Sequence, residues 1–135
     1  MSTGVIASIH ESEIEVPATD GFPLASTLFR PQSAADLGAV VQIHPATAVS
    51  RGIYVKYARF LADSGFTVIT FDYRGTGQSL RVPIREFSGR MRHWGERDVE
   101  GVLQFVAERY PDHRHLAVAH SVGGQVLGLA PSVGR

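Results

Sequence analysis

The sequence contains no cysteine, which excludes disulfide bonds, cysteine-based zinc sites and a thiol nucleophile. It has no excess of charge of either sign, because 13 basic residues balance 13 acidic ones. A chain of zero net charge has no general electrostatic attraction to nucleic acid or to an anionic membrane, so neither is expected as a partner.

Long hydrophobic runs are also missing. The longest, such as Ala39–Val41 and Leu116–Ala119, are far too short to span a bilayer. The first ten residues, Met1–His10, have no basic region followed by an apolar stretch, so no secretory signal is expected. We therefore predict a cytoplasmic location.

The residues that are present indicate a globular α/β chain. Hydrophobic residues make up 44% of the 135 residues and charged residues 19%, as in folded proteins. The predicted strands are Val5–Pro17, Leu24–Arg30, Ala39–His44, Phe66–Phe71 and His115–Ala119. The first predicted helix is Tyr54–Ser64, and its apolar face consists of Ile53, Tyr57, Phe60 and Leu61. The second carries the apolar residues Val99, Val102, Leu103, Val106 and Tyr110, and the third is Ser121–Leu129.

This order of elements predicts a mostly parallel sheet with an N-terminal antiparallel hairpin and with helices on both faces. The last three strands are nearly continuous apolar runs, which is typical of strands covered on both faces. In open sheets of this class, ligands bind beyond the carboxyl ends of the parallel strands. Attention therefore falls on the residues after His44, Phe71 and Ala119.

After the last strand, Ala119-His120-Ser121-Val122-Gly123-Gly124 leads directly into a helix. A serine with small residues two positions before and after it, between a strand and a helix, is typical of a nucleophile elbow. The turn is sharp, so it strains the serine backbone and lifts its hydroxyl above the sheet. A serine that only caps the helix or contacts a phosphate is the alternative.

The other two strand ends allow more than one interpretation. His44 is either a structural histidine that positions its loop, which we favour, or a group that transfers protons. The loop Asp72–Ser79 contains Gly75-Thr76-Gly77, but it lacks the third glycine and the lysine of the phosphate-binding patterns. A structural turn held by Asp72 and Arg74 is favoured over a nucleotide site.

Taken together, these segments resemble the α/β-hydrolase fold family. The matching segments are His44-Pro45-Ala46-Thr47, Asp72–Ser79 and Ala119–Gly124, with Tyr57–Leu61 and Trp94–Asp98 resembling an uncharacterised bacterial group related to serine aminopeptidases and esterases. The resemblance implies Ser121 as the nucleophile and the backbone N–H groups of Ala46 and Val122 as the oxyanion hole. It implies hydrolysis of a small ester or amide through an acyl-enzyme, without a metal or organic cofactor.

The same resemblance implies an acidic residue and then a histidine after the serine. The 14 residues after Ser121 contain no Asp, Glu or His. A domain of this type also takes about 200–250 residues. Residues 1–135 are therefore expected to be a single, incomplete domain. The histidines are His10, His44, His93, His113, His115 and His120, and of these only His93 is kept as a candidate base.

Around His93, Arg81, Arg85, Arg90, Arg92 and Arg97 form either a solvated loop or a surface that attracts an acidic substrate.

Two hypotheses of different classes follow. The first is the N-terminal half of a serine hydrolase, whose acid and histidine lie in missing sequence or in another chain. The alternative is a truncated, non-catalytic module that acts in binding or protein interaction. In both cases the last strand is expected to lack a neighbour, which favours self-association.

Overall fold

A five-stranded mixed sheet lies at the centre of the computed structural model, which describes residues 9–46, 49–80 and 89–133. The strands are β1 (His10–Pro17), β2 (Pro23–Arg30), β3 (Ala39–His44), β4 (Thr67–Phe71) and β5 (Arg114–Ala119). Their order across the sheet is β1-β2-β4-β3-β5. β2 is antiparallel to both β1 and β4, whereas β3 is parallel to both β4 and β5. The predicted hairpin and parallel strands are confirmed, although residues 5–8 of the predicted first strand lie outside the described residues.

Helices cover both faces of this sheet, as predicted. They are α1 (Val55–Asp63), α2 (Met91–His93), α3 (Glu100–Arg109) and α4 (Val122–Leu127), and a π-helical turn, Trp94–Val99, joins α2 to α3. Side chains alternate along each strand, so Val41 contributes to the core under α1 while its neighbour Val40 contributes to the core under α3 and α4. Within the described part of the chain, no helix is long and apolar enough to cross a membrane.

The buried face of α1 differs from the prediction. Ile53 and Phe60 were expected to face the core, but they are 72% and 64% exposed, and only Leu61 of the predicted face packs partly against the core. Instead, Ala58 and Ala62 are buried against the sheet. These small side chains, one helical turn apart, allow the helix backbone to lie close to the strands, which turns the larger residues outward.

The second long helix begins earlier than predicted. Its apolar periodicity starts at Val99, yet helical structure begins at Met91 and continues through the π-helical turn. The first turns carry polar residues that bind the neighbouring loop, so hydrophobic periodicity could not reveal them. The predicted core residues Val99, Val102 and Val106 are fully buried.

β5 was predicted to be a buried strand, and this is wrong for the described residues. All six residues of β5 are exposed, including Leu116 at 40% and Val118 at 37%. The strand pairs with β3 along one edge, and no other strand among those described pairs with its second edge. The apolar sequence identifies a strand, but only a second neighbour and covering helices would bury it.

Candidate active site

Ser121 lies in the sharp turn between β5 and α4 and has a strained backbone. Its φ of 56° and ψ of −120° make it the one non-glycine residue with a positive φ among those described. Such a conformation costs about 1–3 kcal/mol and persists only where the surrounding structure enforces it. The strained strand–turn–helix predicted from the sequence is therefore confirmed, and the Ser121 side chain is exposed.

Contacts between this turn and the end of β3 enforce the strain. The His120 N–H donates to the His44 carbonyl oxygen at 3.0 Å. A Cβ on Gly123 would lie 2.5 Å from the same oxygen, so only glycine fits there. Ala119, which stands where glycine is commonest, has room for its methyl group: its Cβ would be 3.8 Å from a Cβ built on Gly124, an ordinary contact.

His44 is fully buried at the end of β3. Its Nε2 lies 3.2 Å from Gln42 Oε1, and because that oxygen only accepts, Nε2 carries the proton. Its ring packs edge-on against Phe71, with centroids 5.4 Å apart, and Nδ1 has no partner among the described residues. Burial lowers the pKa of His44 to about 4, so the ring is neutral at pH 7. This geometry favours the structural interpretation of His44 over proton transfer.

The two backbone groups expected to form the oxyanion hole have different surroundings. Val122 is the first residue of α4, so its N–H has no acceptor within the helix. The Ala46 N–H instead donates to the hydroxyl of Tyr54 at 3.0 Å. That hydroxyl lies 2.9 Å from Nδ1 of His120, and the two rings meet edge-on. Sequence reasoning missed Tyr54, because it was assigned only to the start of a helix.

The loop Asp72–Ser79 is a structural turn, as favoured from the sequence. The buried Asp72 carboxylate accepts the Arg51 N–H at 2.7 Å and the Gln78 N–H at 3.2 Å, and it pairs with the Arg51 guanidinium. Gly77 has a φ of 47°, and a Cβ there would lie 2.6 Å from Asp72 Oδ2. The carboxylate fills the loop, so the loop is organised around an internal anion and not around a phosphate.

The Trp94–Asp98 segment holds this loop from the other side. The Trp94 indole N–H donates to the Arg74 carbonyl oxygen at 3.0 Å, and the ring stacks on Tyr73 with centroids 4.7 Å apart. Asp98, fully buried, accepts the Arg74 N–H at 2.9 Å and its Nε–H at 2.8 Å. A Cβ on Gly95 would clash with the Val126 carbonyl oxygen in α4. The segment therefore joins the loop to the helix that follows Ser121.

The structure describes three of the five arginines around His93, namely Arg90, Arg92 and Arg97. Arg97 pairs with Asp20 at 3.3 Å, and Arg81 and Arg85 lie outside the described residues. Hydrogen bonds from Arg74 hold the pKa of Asp20 well below its usual range. The remaining candidate base, His93, accepts the Arg90 N–H at 3.1 Å through Nδ1. Across the described residues, no histidine ring is hydrogen-bonded to the Ser121 hydroxyl.

Solved structures with the same fold define the class of protein. The chain aligns with an α/β serine hydrolase without a lid from Xanthomonas campestris at a TM-score of 0.66 and 21% identity, over 87% of this chain and 53% of that one. It aligns with a carboxyl esterase from Bacillus coagulans at a TM-score of 0.69 and 18% identity, over 86% of this chain and 38% of that one. At these identities the likeness shows the fold, which is that of the α/β-hydrolases.

A family profile narrows this class. The profile of the serine aminopeptidase S33 family matches residues 35–130, so the chain belongs to that family of α/β-hydrolases. The chain is also 30% identical over 122 residues to lysophospholipase L2 of Escherichia coli strain K12, an alignment that takes in 87% of this chain and 34% of the relative. The chain thus spans about a third of the length of the curated relatives that it matches.

Proposed function

We propose that the chain carries the nucleophile and the oxyanion hole of a serine hydrolase that cleaves a small ester or amide. The observation that carries this proposal is the strained backbone of Ser121, at a φ of 56° between β5 and α4. A fold retains strain of this kind where the strained group has a function. The esterase and lysophospholipase names of the similar proteins support an ester as the substrate.

In the proposed reaction, the Ser121 hydroxyl attacks the substrate carbonyl carbon and forms a tetrahedral oxyanion. The N–H groups of Val122 and Ala46 donate to that oxygen, since backbone donors fixed in place stabilise developing charge without reorganising. Collapse of the intermediate releases the alcohol or amine and leaves an acyl group on Ser121. Water then hydrolyses the acyl-enzyme.

The proton of Ser121 needs an acceptor that the described residues do not provide. His44 is buried and bonded to Gln42, and Nδ1 of His120 is bonded to Tyr54. No Asp, Glu or His follows Ser121 in the sequence. The proposal therefore assigns the general base and its acidic partner to another polypeptide segment. Loss of this base lowers the rate by several orders of magnitude, although an oxyanion hole retains some catalysis.

A fluorophosphonate probe tests the nucleophile directly. We expect slow labelling of the chain, detected by intact-mass spectrometry after long incubation, and its loss in Ser121→Ala. The matched control is Ser33→Ala, an exposed serine in a short turn near the opposite end of β5 from Ser121, which should label like the parent chain. Labelling that survives Ser121→Ala would contradict the assignment.

The second candidate is a non-catalytic module that associates through β5, and the exposed edge of that strand favours it. Leu116 and Val118 leave apolar surface beside unpaired backbone groups, which promotes pairing with a second copy. This hypothesis predicts no probe labelling and a stable complex in sedimentation velocity that Val118→Lys weakens. A parent chain that sediments as a monomer at all concentrations would contradict it. The cytoplasmic location stays a prediction under both candidates.

A further inference from the structure

Tyr54 connects the two segments that form the proposed oxyanion hole. Its hydroxyl accepts the Ala46 N–H at 3.0 Å and lies 2.9 Å from Nδ1 of His120, the residue before Ser121. A tyrosine hydroxyl has one proton, so it accepts from Ala46 and donates to His120. The turn that carries Tyr54 is fixed at its start, because the Arg51 N–H donates to buried Asp72 at 2.7 Å.

We propose that Tyr54 gates the oxyanion hole, because its hydroxyl occupies the Ala46 N–H that a substrate oxygen would need. This inference rests on the proposed function. One backbone N–H donates at full strength to a single acceptor, so the hydroxyl has to leave before Ala46 can bind an oxyanion. Among the described residues no group accepts the Val122 N–H, so the gate closes one of the two donors. Tyr54 is half-buried, so part of its side chain already borders solvent.

Removal of the hydroxyl should therefore open the site. Tyr54→Phe leaves the ring against His120 but frees the Ala46 N–H. If the Tyr54 hydroxyl instead only holds Ala46 in place, the substitution would misplace Ala46 and slow the reaction. Whether Tyr54→Phe speeds or slows the reaction therefore distinguishes a gating role from a structural one. The gain should be about 3- to 10-fold, which corresponds to one hydrogen bond that no longer has to be broken.

The absence of cysteine provides an assay that needs no general base. Ser121→Cys introduces the only thiol in the chain, and its thiolate attacks p-nitrophenyl acetate without help. A C–S bond forms, the tetrahedral oxyanion collapses, and p-nitrophenolate leaves with the electrons of the broken C–O bond. Iodoacetamide alkylates the same thiolate by displacing iodide and forms no oxyanion. The ratio of the two rates therefore reports on the oxyanion hole.

The experiment compares this rate ratio in three proteins: Ser121→Cys, Ser121→Cys combined with Tyr54→Phe, and Ser121→Cys combined with Tyr57→Phe. Tyr57 lies on the exposed face of α1 and is the matched control. Ser33→Cys, in an exposed turn, gives the ratio for a thiol without an oxyanion hole. We expect Tyr54→Phe to raise acyl transfer about 3- to 10-fold, with alkylation within twofold and Tyr57→Phe without effect. His120→Phe, which removes the acceptor of the hydroxyl proton, should act in the same direction and replaces Tyr54→Phe if that variant does not fold.

The possible failures are distinct. If the ratio for Ser121→Cys does not exceed that for Ser33→Cys, there is no working oxyanion hole, and the proposed function is refuted. If that ratio is raised but Tyr54→Phe leaves it unchanged or lowers it, the hole works and the gate is refuted. Amide hydrogen exchange at Ala46, which should be faster in Tyr54→Phe, checks the hydrogen bond without any reaction.

Discussion

Burial of the His44 ring predicts how the stability of the chain depends on pH. Burial lowers the pKa of this histidine from its ordinary value of 6.5 to about 4 in the folded protein. Between these two values the unfolded chain binds a proton that the folded chain does not, so acid favours unfolding. The stability that His44 contributes is fully present above pH 6.5 and is lost as the pH falls towards 4. Between pH 7.5 and 5.0 the free energy of unfolding falls by about 2 kcal/mol, because each proton that only the unfolded chain binds costs 1.36 kcal/mol per pH unit.

Urea denaturation followed by circular dichroism at pH 5.0 and 7.5 measures this loss. The matched variant is His44→Gln, which keeps a polar amide beside Gln42 but cannot titrate. The two proteins differ at this residue alone, so the difference between the two pH dependences isolates His44. We expect the parent chain to lose about 2 kcal/mol more than the variant over this range.

Titration of the His44 ring by NMR gives an independent check that needs no substitution. A folded-state pKa near 4 is expected, with no shift of the Cε1 proton between pH 7.5 and 5.5. A pKa above 6, or equal pH dependences in the parent and the variant, would refute the reasoning. Either result would mean that the ring is hydrated, and that burial at the end of β3 does not govern its protonation.

Two further predictions concern packing around the candidate site. Gly123→Ala would bring a methyl group to 2.5 Å from the His44 carbonyl oxygen and should destabilise the fold by about 1–3 kcal/mol, whereas Gly124→Ala should stabilise α4 by about 0.5–1 kcal/mol; equal urea midpoints would contradict this. Trp94→Phe removes the hydrogen bond to the Arg74 carbonyl oxygen and should lower the free energy of unfolding by about 1 kcal/mol. Unfolding is followed by circular dichroism, because Trp94 is the one tryptophan and its substitution removes the tryptophan fluorescence signal. An unchanged urea midpoint would contradict this prediction.

Local pattern was enough to predict most elements of the fold. Strands such as Ala39–His44 carry their signal in consecutive residues, and the strand–turn–helix around Ser121 is marked by small residues at fixed positions. Where the prediction failed, distant residues decided the outcome. The apolar positions of α1 gave no indication that Ala58 and Ala62 would face the sheet, because that depends on how closely the helix approaches the strands.

The same division applies to the candidate site. The sequence by itself predicted a nucleophile elbow at Ser121, and its 135 residues contain no cysteine that could replace that serine. Only the tertiary structure decided that Tyr54 contacts Ala46 and His120, and that the apolar residues of β5 are exposed. The physical reason is that the patterns that predict strands, helices and turns depend only on residues close together in the sequence. Hydrogen bonds between segments 8 and 66 residues apart depend on the whole sheet being assembled.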